Sequence, residues 1–283
     1  MDSRNLSRRQ DRVDEQFDLR RRHPSGRFYL LLDELQSYFA RLSLDASLDV
    51  SYGETAGQKV DIFPAADPES PVFVFIHGGY FRALDKRRYS YLAKPIVRAG
   101  CTAVLINYDL APAVSVKTII DQNLEAFSWI LRNISRWNGN PLKIVLCGHS
   151  VGAFLVAKIL EHPWNQQARS AISGAVLLSG LYDLSPMRQS YLNRSLQLST
   201  DDVKELSPIF GQLEELPPTL VAVGEDETEE FIRQSRNYSD KLEALRKPHE
   251  FLLLRGLNHY TVARLLSSKR TILVRKILGM CRS

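Results

Sequence analysis

The sequence predicts a single α/β domain, a sheet of about eight mostly parallel strands covered by helices on both faces. Three observations predict it. The chain has 283 residues, more than a small domain needs and within the range of one large domain. Apolar residues make up 44% and charged residues 24%, enough to bury a sizeable core and too apolar for general disorder. Its apolar runs lack polar alternation and are separated by helical patterns, as strands buried on both faces require.

Each element has its own signal. Residues 1–27 hold eight Arg/Lys and five Asp/Glu, +3 of the chain's +5; a leader of mixed sign reads as a solvated helix or tail. The folded domain is expected over 28–283. Residues 48–52 and 59–63 read as short strands around turn glycines. Residues 72–76 form a β-branched and aromatic run ending at His77-Gly78-Gly79, and 101–108 form another. Residues 115–137 place Ile119, Leu124, Phe127, Ile130, Leu131 and Ile134 on one helical stripe. Residues 143–147 read as a strand and 151–160 as the helix after it. Three further apolar runs, 175–179, 219–223 and 251–254, complete the strands; helices follow the last two at 229–245 and 261–278. Residues 181–217 fit no sheet element and are expected as a cap-like insertion over the carboxyl edge, where open α/β sheets bind ligands.

Several classes drop out. No run approaches the roughly 20 apolar residues of a membrane span, and the N-terminus has no apolar core for a secretory signal. Cys101, Cys147 and Cys281 form no CxxC pair, so neither a disulfide framework nor a metal cluster is expected. The expected setting is cytoplasmic, with no membrane and no nucleic-acid partner, since the basic surplus sits in the mixed-sign leader rather than on one folded face. A homodimer is compatible with this reading.

The chemistry is expected at Gly148-His149-Ser150-Val151-Gly152, the sole G-x-S-x-G, which stands between a predicted strand and a predicted helix. In that context a serine occupies a sharp turn that exposes its hydroxyl; outside it, a serine before a helix is a cap. Serine needs a base to be nucleophilic, and the order in such folds is Ser, acid, His. Of six histidines only His249 and His259 follow the candidate acids; His249 opens a strand, whereas His259 lies beyond that strand's carboxyl end. The acid should come from Glu225-Asp226-Glu227 after the run 219–223, with Asp the commoner type. His77-Gly78-Gly79-Tyr80-Phe81 matches the glycine loop that supplies oxyanion donors, here the N–H groups of Gly79, Tyr80 and Val151. His77 is expected to brace the loop.

These segments together resemble the kynurenine formamidases (arylformamidases), members of the α/β-hydrolase fold related to hormone-sensitive-lipase-like esterases. The similarity is carried by residues 77–81 and 148–153, by Asn107-Tyr108-Asp109-Leu110-Ala111-Pro112, Ser179-Gly180-Leu181-Tyr182-Asp183-Leu184 and Glu230-Phe231-Ile232-Arg233-Gln234-Ser235, and by Gly256-Leu257-Asn258-His259-Tyr260. It runs from about residue 48 to 265. The chain departs at Phe81, where the family commonly has Trp, and at the acid: the family's Asp falls on Glu227, with Asp226 one residue early. The resemblance thus names Glu227 where residue type names Asp226. It implies hydrolysis of N-formyl-L-kynurenine to L-kynurenine and formate, with no cofactor and no metal, and with Tyr80 and Phe81 as the apolar wall for the aromatic amine. The rival readings are a general carboxylesterase and a non-catalytic hydrolase-fold binding protein.

Overall fold

The computed structural model describes residues 3–282. Eight strands form one sheet: β1 (Ser47–Ser51), β2 (Lys59–Phe63), β3 (Ser70–Ile76), β4 (Thr102–Ile106), β5 (Gly139–His149), β6 (Ile172–Leu178), β7 (Thr219–Gly224) and β8 (His249–Leu254). Their order is β1-β2-β4-β3-β5-β6-β7-β8. β1 and β2 are antiparallel to their neighbours, and the remaining six strands run parallel. All eight overlap the stretches read as strands, and β5 runs longer than its apolar run at 143–147.

The helices are α1 (Ser3–Phe17), α2 (Leu19–Arg22), α3 (Gly26–Ser43), α4 (Ala93–Val97), α5 (Val116–Asn133), α6 (Val151–Glu161), α7 (Gln166–Ser170), α8 (Ser185–Gln189), α9 (Asn193–Leu196), α10 (Thr200–Leu206), α11 (Glu229–Ala244), α12 (His259–Arg264) and α13 (Ile272–Arg282). The strand pleat sorts the core into two layers. Val72, Val74 and Ile76 of β3 pack with Phe127, Phe154 and Leu242 from α5, α6 and α11. Phe73 and Phe75 face the other way, against Ile96, Leu273 and Ile277 from α4 and α13. Each such fully buried side chain contributes about 1.5–3 kcal/mol of transfer free energy, which is why these strands carry no polar alternation.

Three departures from the sequence reading have local causes. The helix expected over 261–278 is two, because Thr271 turns the chain: its hydroxyl donates to the Leu265 and Ser268 carbonyls and then accepts from Val274 N–H. Residues 26–43 form a long helix, α3, which the apolar periodicity does not predict. The charged leader does not end in solvent: Phe17 and Leu19 are buried in the main core cluster, and Thr228 donates to the Gln16 carbonyl at 2.9 Å. Between β6 and β7 the chain places α8, α9 and α10, and Tyr191, between α8 and α9, lines the same cavity as Ser150.

Candidate active site

Ser150 lies between β5 and α6 with φ of 60° and ψ of −127°, a conformation non-glycine residues adopt rarely and at a cost in strain. Its flanking glycines have no alternative. A Cβ on Gly148 would fall on the Gly152 carbonyl, and a Cβ on Gly152 on the Ile76 and His77 carbonyls. The turn is pinned by Ser150 N–H donating to the Leu178 carbonyl at 2.8 Å. Ser150 is nearly buried yet opens into a cavity of about 290 Å³, which His259 also lines.

His259 begins α12, set there by Asn258, whose side chain accepts from Tyr260 and Thr261 N–H. Its Nδ1 lies 2.7 Å from Glu227 Oε2, and its ring is held between Phe231 (4.4 Å between centroids) and His149 (4.5 Å). Among the described residues no hydrogen bond joins Ser150 Oγ to the imidazole, a looseness common before substrate tightens such sites. Of the candidate acids, Glu225 and Asp226 are exposed and Glu227 is buried. The extra methylene is absorbed by a tight turn in which Glu227 N–H donates back to the Gly224 carbonyl at 3.4 Å. Its Oε1 accepts from the Ser179 hydroxyl and from Gly224 N–H at 3.3 Å. The carboxylate is therefore fully hydrogen-bonded without water, which a buried charge requires.

The glycine loop stands opposite. Gly79, Tyr80 and Phe81 have φ of 119°, 53° and 61°, so the backbone winds tightly with its amides free: among the described residues nothing accepts from Gly79 or Tyr80 N–H. Val151, the first residue of α6, adds an N–H with no partner within its helix. His77 lies against the loop, with Nδ1 2.8 Å from the Gly78 carbonyl, Nε2 3.1 Å from Asn107 Oδ1, and its ring stacked on Tyr108 at 4.4 Å. Burial holds its pKa below the ordinary histidine value. Phe81 requires a correction. It is fully buried with its ring edge-on to that of Phe154 at 5.2 Å, so it packs into the core beneath the loop and does not line the cavity. Tyr80 does line the cavity, and the remaining aromatic wall comes from Phe17, Tyr89, Tyr191 and Tyr260.

Residues 73–263 match the family described as the alpha/beta hydrolase fold. The chain is 30% identical over 249 residues to the kynurenine formamidase of Danio rerio, covering 85% of this chain and 84% of that one. It is 32% identical over 210 residues to that of Salmo salar, covering 70% and 68%. The chain belongs to the kynurenine formamidase family of α/β-hydrolases. A solved structure of a candidate thioesterase from Silicibacter sp. tm1040 superposes with a TM-score of 0.84 at 26% identity, over 96% of this chain and 99% of that one; the formamidase-family fold is thus shared nearly end to end.

Sequence reasoning gave no role to several residues of this site. Ser179 opens a segment that carries the family resemblance, but its φ of 49° at the end of β6 and its bond to Glu227 are visible only in the fold. Gln234 fixes the insertion by accepting from Asp183 N–H at 2.8 Å and donating to the Asp183 carbonyl at 3.0 Å. His149, the variable position of the elbow, lines the cavity with its ring buried. Neither of its nitrogens finds a well-aligned partner, and the His259 backbone alone approaches them.

Proposed function

We propose that the protein hydrolyses N-formyl-L-kynurenine to L-kynurenine and formate, with Ser150 as nucleophile, His259 as base and Glu227 as the acid that orients it. The observation that supports this most is the Glu227–His259 pair opening on the Ser150 cavity in a chain of the kynurenine formamidase family. Ser150 Oγ attacks the formyl carbon while His259 Nε2 takes its proton; Glu227 holds Nδ1–H and stabilises the imidazolium that forms. The oxyanion is met by Gly79, Tyr80 and Val151 N–H groups, donors that need not reorganise during the reaction. Collapse of the intermediate breaks the C–N bond, and the imidazolium gives its proton to the departing aniline nitrogen. A formyl-Ser150 ester remains. Water, deprotonated by His259, attacks it and releases formate, and the serine recovers its proton. The chain's own residues supply every proton transfer, so the proposal includes no cofactor and no metal. Its three cysteines are buried and unpaired, in keeping with a proposed cytoplasmic setting.

The same machinery would cleave activated esters, so ester turnover alone decides nothing. The test is the ratio of kcat/KM on N-formyl-L-kynurenine to that on p-nitrophenyl acetate. A formamidase favours the amide despite its poorer leaving group; an enzyme that favours the ester and leaves the formanilide intact is a carboxylesterase.

A further inference from the structure

Resting on the formamidase reading, we infer that the N-terminal segment over residues 17–20 forms the subsite for the substrate's amino-acid end, with Asp18 taking the ammonium and Arg20 the carboxylate. The scissile formyl group is fixed at the cavity floor by Ser150 and the glycine loop. The wall across from it comes from far away in sequence: Phe17, Asp18, Leu19 and Arg20 all line the cavity. Besides the histidines, its ionisable lining of full charge is Asp18, Arg20 and Arg82. Arg82 is already engaged, with its guanidinium 5.5 Å over the Tyr191 ring and 3.4 Å from Ser195 Oγ. Asp18 spends one oxygen on Arg21 N–H; no described residue meets its other oxygen or any N–H of the Arg20 guanidinium. An opposed pair two residues apart and without mutual contact is the complement of an α-amino-acid zwitterion, and a guanidinium suits a carboxylate bidentately.

The wall is also rigid enough to select. The Phe17 carbonyl accepts from the Tyr80 hydroxyl at 3.1 Å and the Tyr191 hydroxyl at 3.2 Å, and the Phe17 ring packs edge-on against Tyr80 and Phe231. Tyr80 belongs to the oxyanion loop, Phe231 touches His259, and Tyr191 belongs to the insertion, so the segment is tied to all three parts of the site.

The test compares N-formyl-L-kynurenine with N-(2-acetylphenyl)formamide, which keeps the formanilide and ketone and lacks the amino-acid end. Wild type should prefer the full substrate, and Arg20→Gln should reduce that preference on the order of ten- to a hundredfold, mainly through KM. Arg20→Lys should recover part of it, Asp18→Asn should reduce it likewise, and Arg98→Gln, a charge removed at an exposed remote site, should leave it as in wild type. Arg20 is exposed, so its variants keep the fold. Full preference in Arg20→Gln, or equal efficiency on both substrates in wild type, overturns this inference alone. A wild type that cleaves p-nitrophenyl acetate and neither formanilide overturns the formamidase reading and this inference with it.

Discussion

Replacing Glu227 by Gln keeps the size and shape of the side chain and removes its charge, and the surroundings dictate which way the amide turns. Oε1 sits where Gly224 N–H donates at 3.3 Å, and Ser179 also donates there. The serine hydroxyl can rotate; the backbone N–H cannot. The amide oxygen must therefore stay at that position, which points its NH2 at His259 Nδ1, now 2.7 Å from Oε2. A donor facing Nδ1 selects the tautomer with the proton on Nε2, the atom that must accept the Ser150 proton. With the countercharge for the imidazolium lost as well, kcat should fall by about 10⁴, or about 5 kcal/mol of transition-state stabilisation. Asp226 is exposed, so Asp226→Asn should change kcat only a few-fold. Initial rates of kynurenine formation by the two variants, measured beside their thermal midpoints, decide the matter. A Glu227→Gln enzyme within tenfold of wild type, or a crippled Asp226→Asn, refutes the reasoning.

Other perturbations have definite outcomes. Gly152→Ala drives a Cβ into the Ile76 and His77 carbonyls and should cost about 1–3 kcal/mol of stability along with most activity; an unchanged midpoint in thermal denaturation contradicts the close approach. His149 is buried, and burial first, then the neighbouring His259 charge, hold its pKa well below the ordinary 6.5. The unfolded chain therefore binds a proton that the native state refuses, and stability is lost as pH falls below 6.5. The midpoint should drop between about pH 7 and pH 5, and His149→Gln should flatten that slope; a flat wild-type profile contradicts it. Prolonged chelation should leave turnover of N-formylkynurenine unchanged, whereas a loss restored by zinc contradicts the proposed serine chemistry.

What could be read from the sequence tracks where the physics is local. Runs such as Val72-Phe73-Val74-Phe75-Ile76 must be buried on both faces, so the central strands were legible; the partly exposed edge strand β1 was legible only from the turn glycines beside it. The elbow was legible because Gly148 and Gly152 have no substitute at their contacts; the acid was not, since the family resemblance named Glu227 and residue type named Asp226. Residues 26–43 were opaque for the opposite reason: α3 turns Asp33 and Ser37 inward and Leu31 and Leu35 outward, which inverts the pattern that periodicity seeks. Phe17 and Leu19 hid in a segment of mixed charge, and their burial depends on tyrosines 63 and more residues away. Ser179 and Phe81 were misjudged or missed because backbone conformation, not residue type, aims them.

The most direct measurement of the central claim is the release of kynurenine and formate from N-formyl-L-kynurenine by the wild type and by Ser150→Ala, each checked for folding and for labelling by a sulfonyl fluoride. The wild type should be labelled and release the two products in equal amounts; Ser150→Ala, which loses one hydroxyl from an intact turn, should escape labelling and turn over at least about a thousandfold more slowly. A wild type that leaves the substrate untouched, or a Ser150→Ala variant that still releases kynurenine at a comparable rate, contradicts the account.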